Sequence, residues 1–133
     1  MTDQTPVPRM RLELVPVPVS DVDRARDFYQ HVVGFHLDHD VSRDGMRVVQ
    51  LTPPGSGCSI VISAGLPEIS EMQPGSVKAL HLVVDDIREA CAALKQRGLE
   101  LSEIDEHDRG IKYAYFSDPD GNSWALQEIP PGI

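Results

Sequence analysis

Short runs of alternating apolar and polar residues make up most of this chain, and two stretches with apolar residues three and four apart interrupt them. The first run, Arg11 to Val19, reads RLELVPVPV, with Leu12, Val15, Val17 and Val19 as its apolar members. Its prolines remove backbone donors, so the predicted strand lies at a sheet edge or pairs on one side only. Ser20 or Asp21 then offers a side-chain oxygen to the free amides of a helix start. From there Val22, Ala25, Phe28, Tyr29, Val32 and Val33 recur at helical spacing and form one buried stripe, which Gly34 stops. Strand patterns follow at Phe35 to Val41, Met46 to Leu51 and Cys58 to Ser63. Arg43-Asp44-Gly45 and Pro53-Pro54-Gly55-Ser56-Gly57 supply the reversals between them.

After a polar connector, Ala64 to Ser76, the same order returns. Val77 to Val84 predicts a strand and Asp85 or Asp86 a cap. Ile87, Ala90, Cys91 and Leu94 are the buried stripe of a second helix, ended by Gly98. Strands are expected at Leu99 to Ile104, Ile111 to Phe116 and Ser123 to Ile129, with the turn Asp118-Pro119-Asp120-Gly121 before the last. Val19-Ser20-Asp21-Val22 aligns with Val84-Asp85-Asp86-Ile87, and Ala25 with Ala90, each 65 residues apart. A duplicated β-α-β-β-β module accounts for this better than a coincidental α+β order. The expected organisation is a loose tail at 1–10 and one α+β domain at 11–129. That domain holds a module at 11–64 and a module at 77–129, joined by a linker at 65–76.

Composition narrows the classes of function. The chain of 133 residues is 41% hydrophobic, which suits a folded domain and argues against wholesale disorder. A net charge of −9 repels a phosphate backbone, so nucleic acid is not an expected partner. The longest uncharged apolar stretch, Gly57 to Pro67, is too short to cross a bilayer, so no membrane partner is expected. The start, MTDQTPVPRMRL, lacks the apolar core of a secretion signal, and the expected location is cytoplasmic. In that setting Cys58 and Cys91 read as buried thiols rather than a disulfide.

Four fragments carry a resemblance: V-S-D-V-D-R-A-R-D-F-Y (Val19 to Tyr29), V-V-G-F (Val32 to Phe35), L-H-L-V-V-D-D-I (Leu80 to Ile87) and F-S-D-P-D-G-N (Phe116 to Asn122). In order and spacing they resemble the vicinal oxygen chelate superfamily, from Leu12 to Glu128. That superfamily includes glyoxalase I, extradiol dioxygenases, methylmalonyl epimerases and the bleomycin- and fosfomycin-resistance proteins. The resemblance implies a glyoxalase-like fold, with curved mixed sheets around a ligand cavity often closed across a homodimer. It does not imply one reaction. Metal-dependent members carry His, Gln or Glu at four inward strand positions. Here the resemblance places these at Leu14, Val61, Ala79 and Ala125, none of which offers a donor atom. Neither metal nor another cofactor is therefore expected.

Alternation then indicates what shares a face with the vacated positions. Leu12, Pro16 and Pro18 go with Leu14, Ser59 and Ser63 with Val61, His81 with Ala79, and Gln127 with Ala125. Val15, Val17, Val19, Leu80, Leu82, Val84, Trp124 and Leu126 belong to the opposite side, beneath the helices. His81 is the leading candidate, as a ligand contact, as a catalytic base, or as a histidine satisfied by backbone or by Gln127. Tyr113 and Tyr115 face one way and offer flat apolar surface and hydroxyls, or ordinary sheet packing. His39, on the face of Phe35, Leu37 and Val41, and Arg47, on that of Val49 and Leu51, are weaker candidates. His36, Asp38 and Asp40 alternate on one strand and read as solvated, as does the acidic run of Glu103, Asp105, Glu106, His107 and Asp108. Glu128 faces away from the cavity, and neither a phosphate-cradling loop nor a nucleophile triad is evident.

Two classes of function fit. One is a protein that binds a small organic molecule without the inherited metal, for antibiotic sequestration or metabolite binding. The other is an enzyme of the same superfamily: a metal-free isomerase, cyclase or lyase using His81, or a metal-dependent lyase or dioxygenase with displaced ligands.

Overall fold

A computed structural model of the chain describes residues 5–133. The first four positions of the expected tail lie outside the described residues; Thr5 to Glu13 are exposed and carry neither helix nor strand. β1 (Leu14–Pro16) is followed by α1 (Val22–Asp27), which runs into the wider π-helical turns of Phe28–Val33. Then come β2 (His36–Arg43), β3 (Met46–Thr52) and β4 (Ser59–Ala64). After the connector the order repeats as β5 (Leu80–Val83), α2 (Ile87–Gln96), β6 (Asp105–Glu106), β7 (Lys112–Ser117) and β8 (Ser123–Glu128). Two four-stranded mixed sheets result, ordered β1-β4-β3-β2 and β5-β8-β7-β6. In each the first strand lies parallel to the last at the sheet edge, where Pro16 of β1 costs no ladder bond.

The caps are those expected from short carboxylates ahead of an apolar stripe. Asp21 accepts from the Arg24 amide, and Asp86 from those of Arg88 and Glu89, with nearly identical extended backbones. Glu128 accepts from the Ile87 amide as well, which puts it on the helix side. That bond, the first cause, holds the Glu128 carboxyl below its usual range. Gly34 ends the first helical segment at φ 94°, a conformation that costs glycine little.

One hydrophobic core takes residues from both modules: Val17, Val49, Leu51, Ile60 and Ile62 from the first, and Ala114, Phe116, Trp124 and Leu126 from the second. Because the helix side of both sheets enters this one core, the other face of each sheet points away from it. A buried polar network joins the modules. Asp118 accepts from the Asp120 and Asn122 amides, from the Asn122 side chain and from the Tyr29 hydroxyl at 2.7 Å. Trp124 Nε1 donates to Tyr29 Oη at 3.0 Å, and Asn122 Nδ2 donates to the Pro18 carbonyl. Burial, followed by the Asp118 charge, pushes the Tyr29 phenol well above its ordinary range.

Three expectations need correction. The strand expected at Leu99 to Ile104 is not formed, because Leu99, Leu101 and Ile104 pack inward on the core. Ser102 Oγ takes the Tyr115 amide instead, and the strand begins in the acidic run, at Asp105–Glu106. β5 is shorter than Val77 to Val84, because Ala79 turns the backbone to φ 60°. A bulge between Leu37 and His39 breaks the alternation of β2. Asp40 therefore sits on the helix side with Arg26 and Arg47, at 2.9 and 2.8 Å, rather than in solvent with His36.

Candidate functional site

In the second sheet, register puts His81 opposite Ala125, Val83 and Tyr113 opposite Gln127, and Tyr115 opposite Ala125. These residues therefore share the face turned away from the core. Its floor is Ala125, fully buried, while Val83 is 64% and Tyr115 43% exposed. Tyr113 and Tyr115 stand with near-parallel rings, centroids 6.1 Å apart at 6°. His81 and His107 each present their rings edge-on to Tyr113, at 5.9 and 5.0 Å. Gln127 Nε2 donates to Tyr113 Oη at 3.0 Å.

His81 is oriented by the backbone. Its Nδ1 lies 2.6 Å from the Ala79 carbonyl. A carbonyl only accepts, so Nδ1 carries the hydrogen and neutral His81 presents Nε2 as an acceptor. Of the two satisfied states weighed from sequence, the backbone partner is the one found, and Gln127 serves Tyr113 instead. Ala79 itself stands ahead of β5 and donates its amide to Ser123 Oγ at 2.8 Å.

The matching face of the first sheet has a different chemistry. Leu14 lies opposite Ser59, Pro16 opposite Val61, Gln50 opposite Val61 and His39 opposite Gln50. Asp38 accepts from Thr52 Oγ1, from Gln50 Nε2 at 3.2 Å and from His36 Nδ1 at 2.8 Å. Ser59 and Thr52 share a hydroxyl–hydroxyl hydrogen bond of 2.6 Å. The Thr52 bond above all holds the Asp38 carboxyl below its usual range. Asp38 is exposed, as expected from sequence, but its bonds to Thr52 and Gln50 were not foreseen. Only the register of β2 on β3, set by a bulge with no sequence signature, brings Asp38 to Thr52.

Ser59 and His81 line a hollow of about 250 Å³ together with helix-side residues of both sheets, Val15, Ile60, Leu80, Leu82 and Trp124. Arg47 is not part of this. Its guanidinium is held on the helix side by Asp40 and by Asp23 at 2.7 Å, and its bond to Asp40, with that of Arg26, pushes the Asp40 carboxyl down to about 2. His39 stands on the free face of the first sheet, where the bulge separates it from Leu37.

Leu14, Val61 and Ala125 stand on the free faces and Ala79 just before one, so the positions that bind metal in the resembled family bring only carbon here. Among the described residues no three His, Cys, Asp or Glu side chains converge as a metal site. The residues present do not fit a divalent cation, and no chemistry is routed through one. No described helix is long and apolar enough to cross a membrane.

TnmS3, an antibiotic binding protein from Streptomyces sp. CB03234, is 35% identical, with a TM-score of 0.80 over 93% of this chain and 99% of that one. A glyoxalase/bleomycin resistance protein from Streptomyces sp. CB03234 is 39% identical, with a TM-score of 0.73 over 87% and 98%. A superfamily member from Sphaerobacter thermophilus DSM 20745 is 31% identical, with a TM-score of 0.75 over 90% and 98%. No curated protein sequence matches significantly. The sequence model of the Glyoxalase/Bleomycin resistance protein/Dioxygenase superfamily matches residues 11–126, and the chain belongs to that superfamily.

Proposed function

We propose that the protein binds a small organic molecule, in the manner of an antibiotic- or metabolite-sequestering protein, without a divalent metal. The observation that carries this is the replacement of the four inherited ligand positions by Leu14, Val61, Ala79 and Ala125 beside a face of rings and hydrogen-bonding groups. Concave sites of this kind are mostly apolar, with a few placed polar groups. His81, Gln127, Tyr113 and Tyr115 are the contacts this reading assigns, with Ser59 and Val61 on the other wall. The likeness to an antibiotic binding protein supports the same class of ligand.

The working unit in this proposal is a homodimer. The free face of the second sheet opens at Tyr113 on a hollow of about 750 Å³, within the roughly 300–1,000 Å³ typical of ligand pockets but open to solvent within one chain. The exposed apolar side chains of Val83 and Tyr115 on one free face, and of Val41 on the other, also call for a cover. A second copy would supply it. Free Cys58 and Cys91 suit a reducing compartment, and the cytoplasm is the proposed location.

A second reading has its own support. His81, with Nδ1 tied to a carbonyl and Nε2 free, is arranged as a general base would be. A metal-free isomerase, cyclase or lyase would use it so. Elemental analysis of dialysed protein tests the metal-free premise common to both. The expected result is far less than one zinc, nickel, iron or manganese per chain. Stoichiometric metal lost to a chelator would overturn it and restore a metal-dependent lyase or dioxygenase.

A further inference from the structure

The polar groups on the free face of the second sheet have complementary vacancies. His81 offers an acceptor at Nε2, because the Ala79 carbonyl holds the hydrogen on Nδ1. Tyr113 Oη has one hydrogen-bond partner among the described residues, the Gln127 amide from which it accepts, so its own hydrogen remains available to donate. One acceptor and one donor therefore stand beside a pair of near-parallel rings, with exposed Val83 extending the apolar area. Charge sets a further condition. The open hollow that Tyr113 lines is also lined by Glu106, His107, Asp108 and Arg109, with Asp105 paired to His107. Added to a net charge of −9, this acidic rim disfavours an anion.

We infer that this face takes a planar aromatic molecule bearing a hydroxyl group and no anionic group, the hydroxyl donating to His81 Nε2 and a ligand oxygen accepting from Tyr113 Oη. The inference rests on the small-molecule reading above and narrows it to a ligand class. Aromatic surfaces meet stacked rings more favourably than a saturated skeleton does. A saturated alcohol would satisfy the polar pair and leave the ring surface poorly matched. An aryl ether would match the rings and leave Nε2 without a donor. Ala79 acts as a positioning residue: its left-handed backbone aims the carbonyl that fixes the His81 tautomer.

The test is a titration of the full chain with 2-naphthol, 2-methoxynaphthalene, decahydro-2-naphthol and 6-hydroxy-2-naphthoate, read by NMR of the histidine and tyrosine rings. It is run at one mildly alkaline pH for all four probes. The expected result is that 2-naphthol shifts His81, Tyr113 and Tyr115 together. The methyl ether should bind about five- to tenfold more weakly, as the loss of one hydrogen bond predicts. The saturated alcohol and the carboxylate should be weaker by about tenfold or more. His81→Ala should abolish the difference between naphthol and its ether, and Tyr115→Leu, which leaves the hydrogen-bonding pair intact, should weaken both.

Equal binding of all four probes, or no shift of these rings at millimolar naphthol, would overturn the inference. So would a face that the second copy fills rather than walls, read as ring shifts on protein dilution with no further change on adding 2-naphthol. If the protein retains an aliphatic or anionic compound from its host, the ligand class falls while the small-molecule reading stands.

Discussion

At Ala79 the chain has a left-handed backbone, and the carbonyl of that residue accepts from the neighbouring His81 imidazole. Two substitutions on adjacent positions of β5 separate the faces. His81→Ala should leave the fold intact, because the ring is exposed, and weaken ligand binding by about 1–3 kcal/mol if Nε2 accepts a buried hydrogen bond. Leu82→Ala should leave the contacts of the free face in place and destabilise the protein by about 2 kcal/mol, the low end for a half-buried leucine packed on the core. Thermal melts and ligand titrations of both variants check this, and the reverse pattern would mean that the strand faces are exchanged. Tyr29→Phe probes the network between modules. It strips Trp124 Nε1 of its acceptor and Asp118 of a donor in the interior, which should cost about 1–3 kcal/mol by denaturant unfolding.

At the scale of elements, the sequence reveals what depends on local periodicity. Both helix starts, the Gly34 stop, the edge placement of β1 and the helix-facing partition of the strands follow from caps, prolines and alternation. Where tertiary contacts override local pattern, legibility ends. Leu99, Leu101 and Ile104 look like one strand face but are drawn individually into the core, and a two-residue strand forms in the acidic run after them. The β2 bulge reassigns Asp38 to the Thr52 cluster and Asp40 to Arg47 and Arg26, and no residue type announces it. The candidate face was legible at His81, Gln127, Tyr113 and Tyr115. Their pairing was not, because which partner each takes depends on cross-strand register. Asp40 gives this element its pH dependence. Its carboxyl, held at about 2 against an ordinary value near 3.8, is depressed in the folded state. The stability it contributes is present above pH about 4 and is lost as pH falls toward 2. Acid titration of unfolding should show a shallower loss in that window for Asp40→Asn than for the parent chain.

For the whole molecule, one shared core between two modules leaves both cavity faces turned outward. A stable pair of chains typically buries roughly 1,200–2,000 Å² in total, enough to hold a dimer at micromolar concentration. Sedimentation equilibrium should therefore report twice the monomer mass, and a monomer alone at such concentrations would count against the composite cavity. The central claim is that this cavity holds an organic molecule and no metal. Native mass spectrometry of the protein purified gently from its own host tests it most directly. The account predicts an organic adduct that leaves on collisional activation, with a bare chain mass beneath it. A chain mass carrying one divalent metal, removed by chelator and accompanied by no organic adduct, would contradict it.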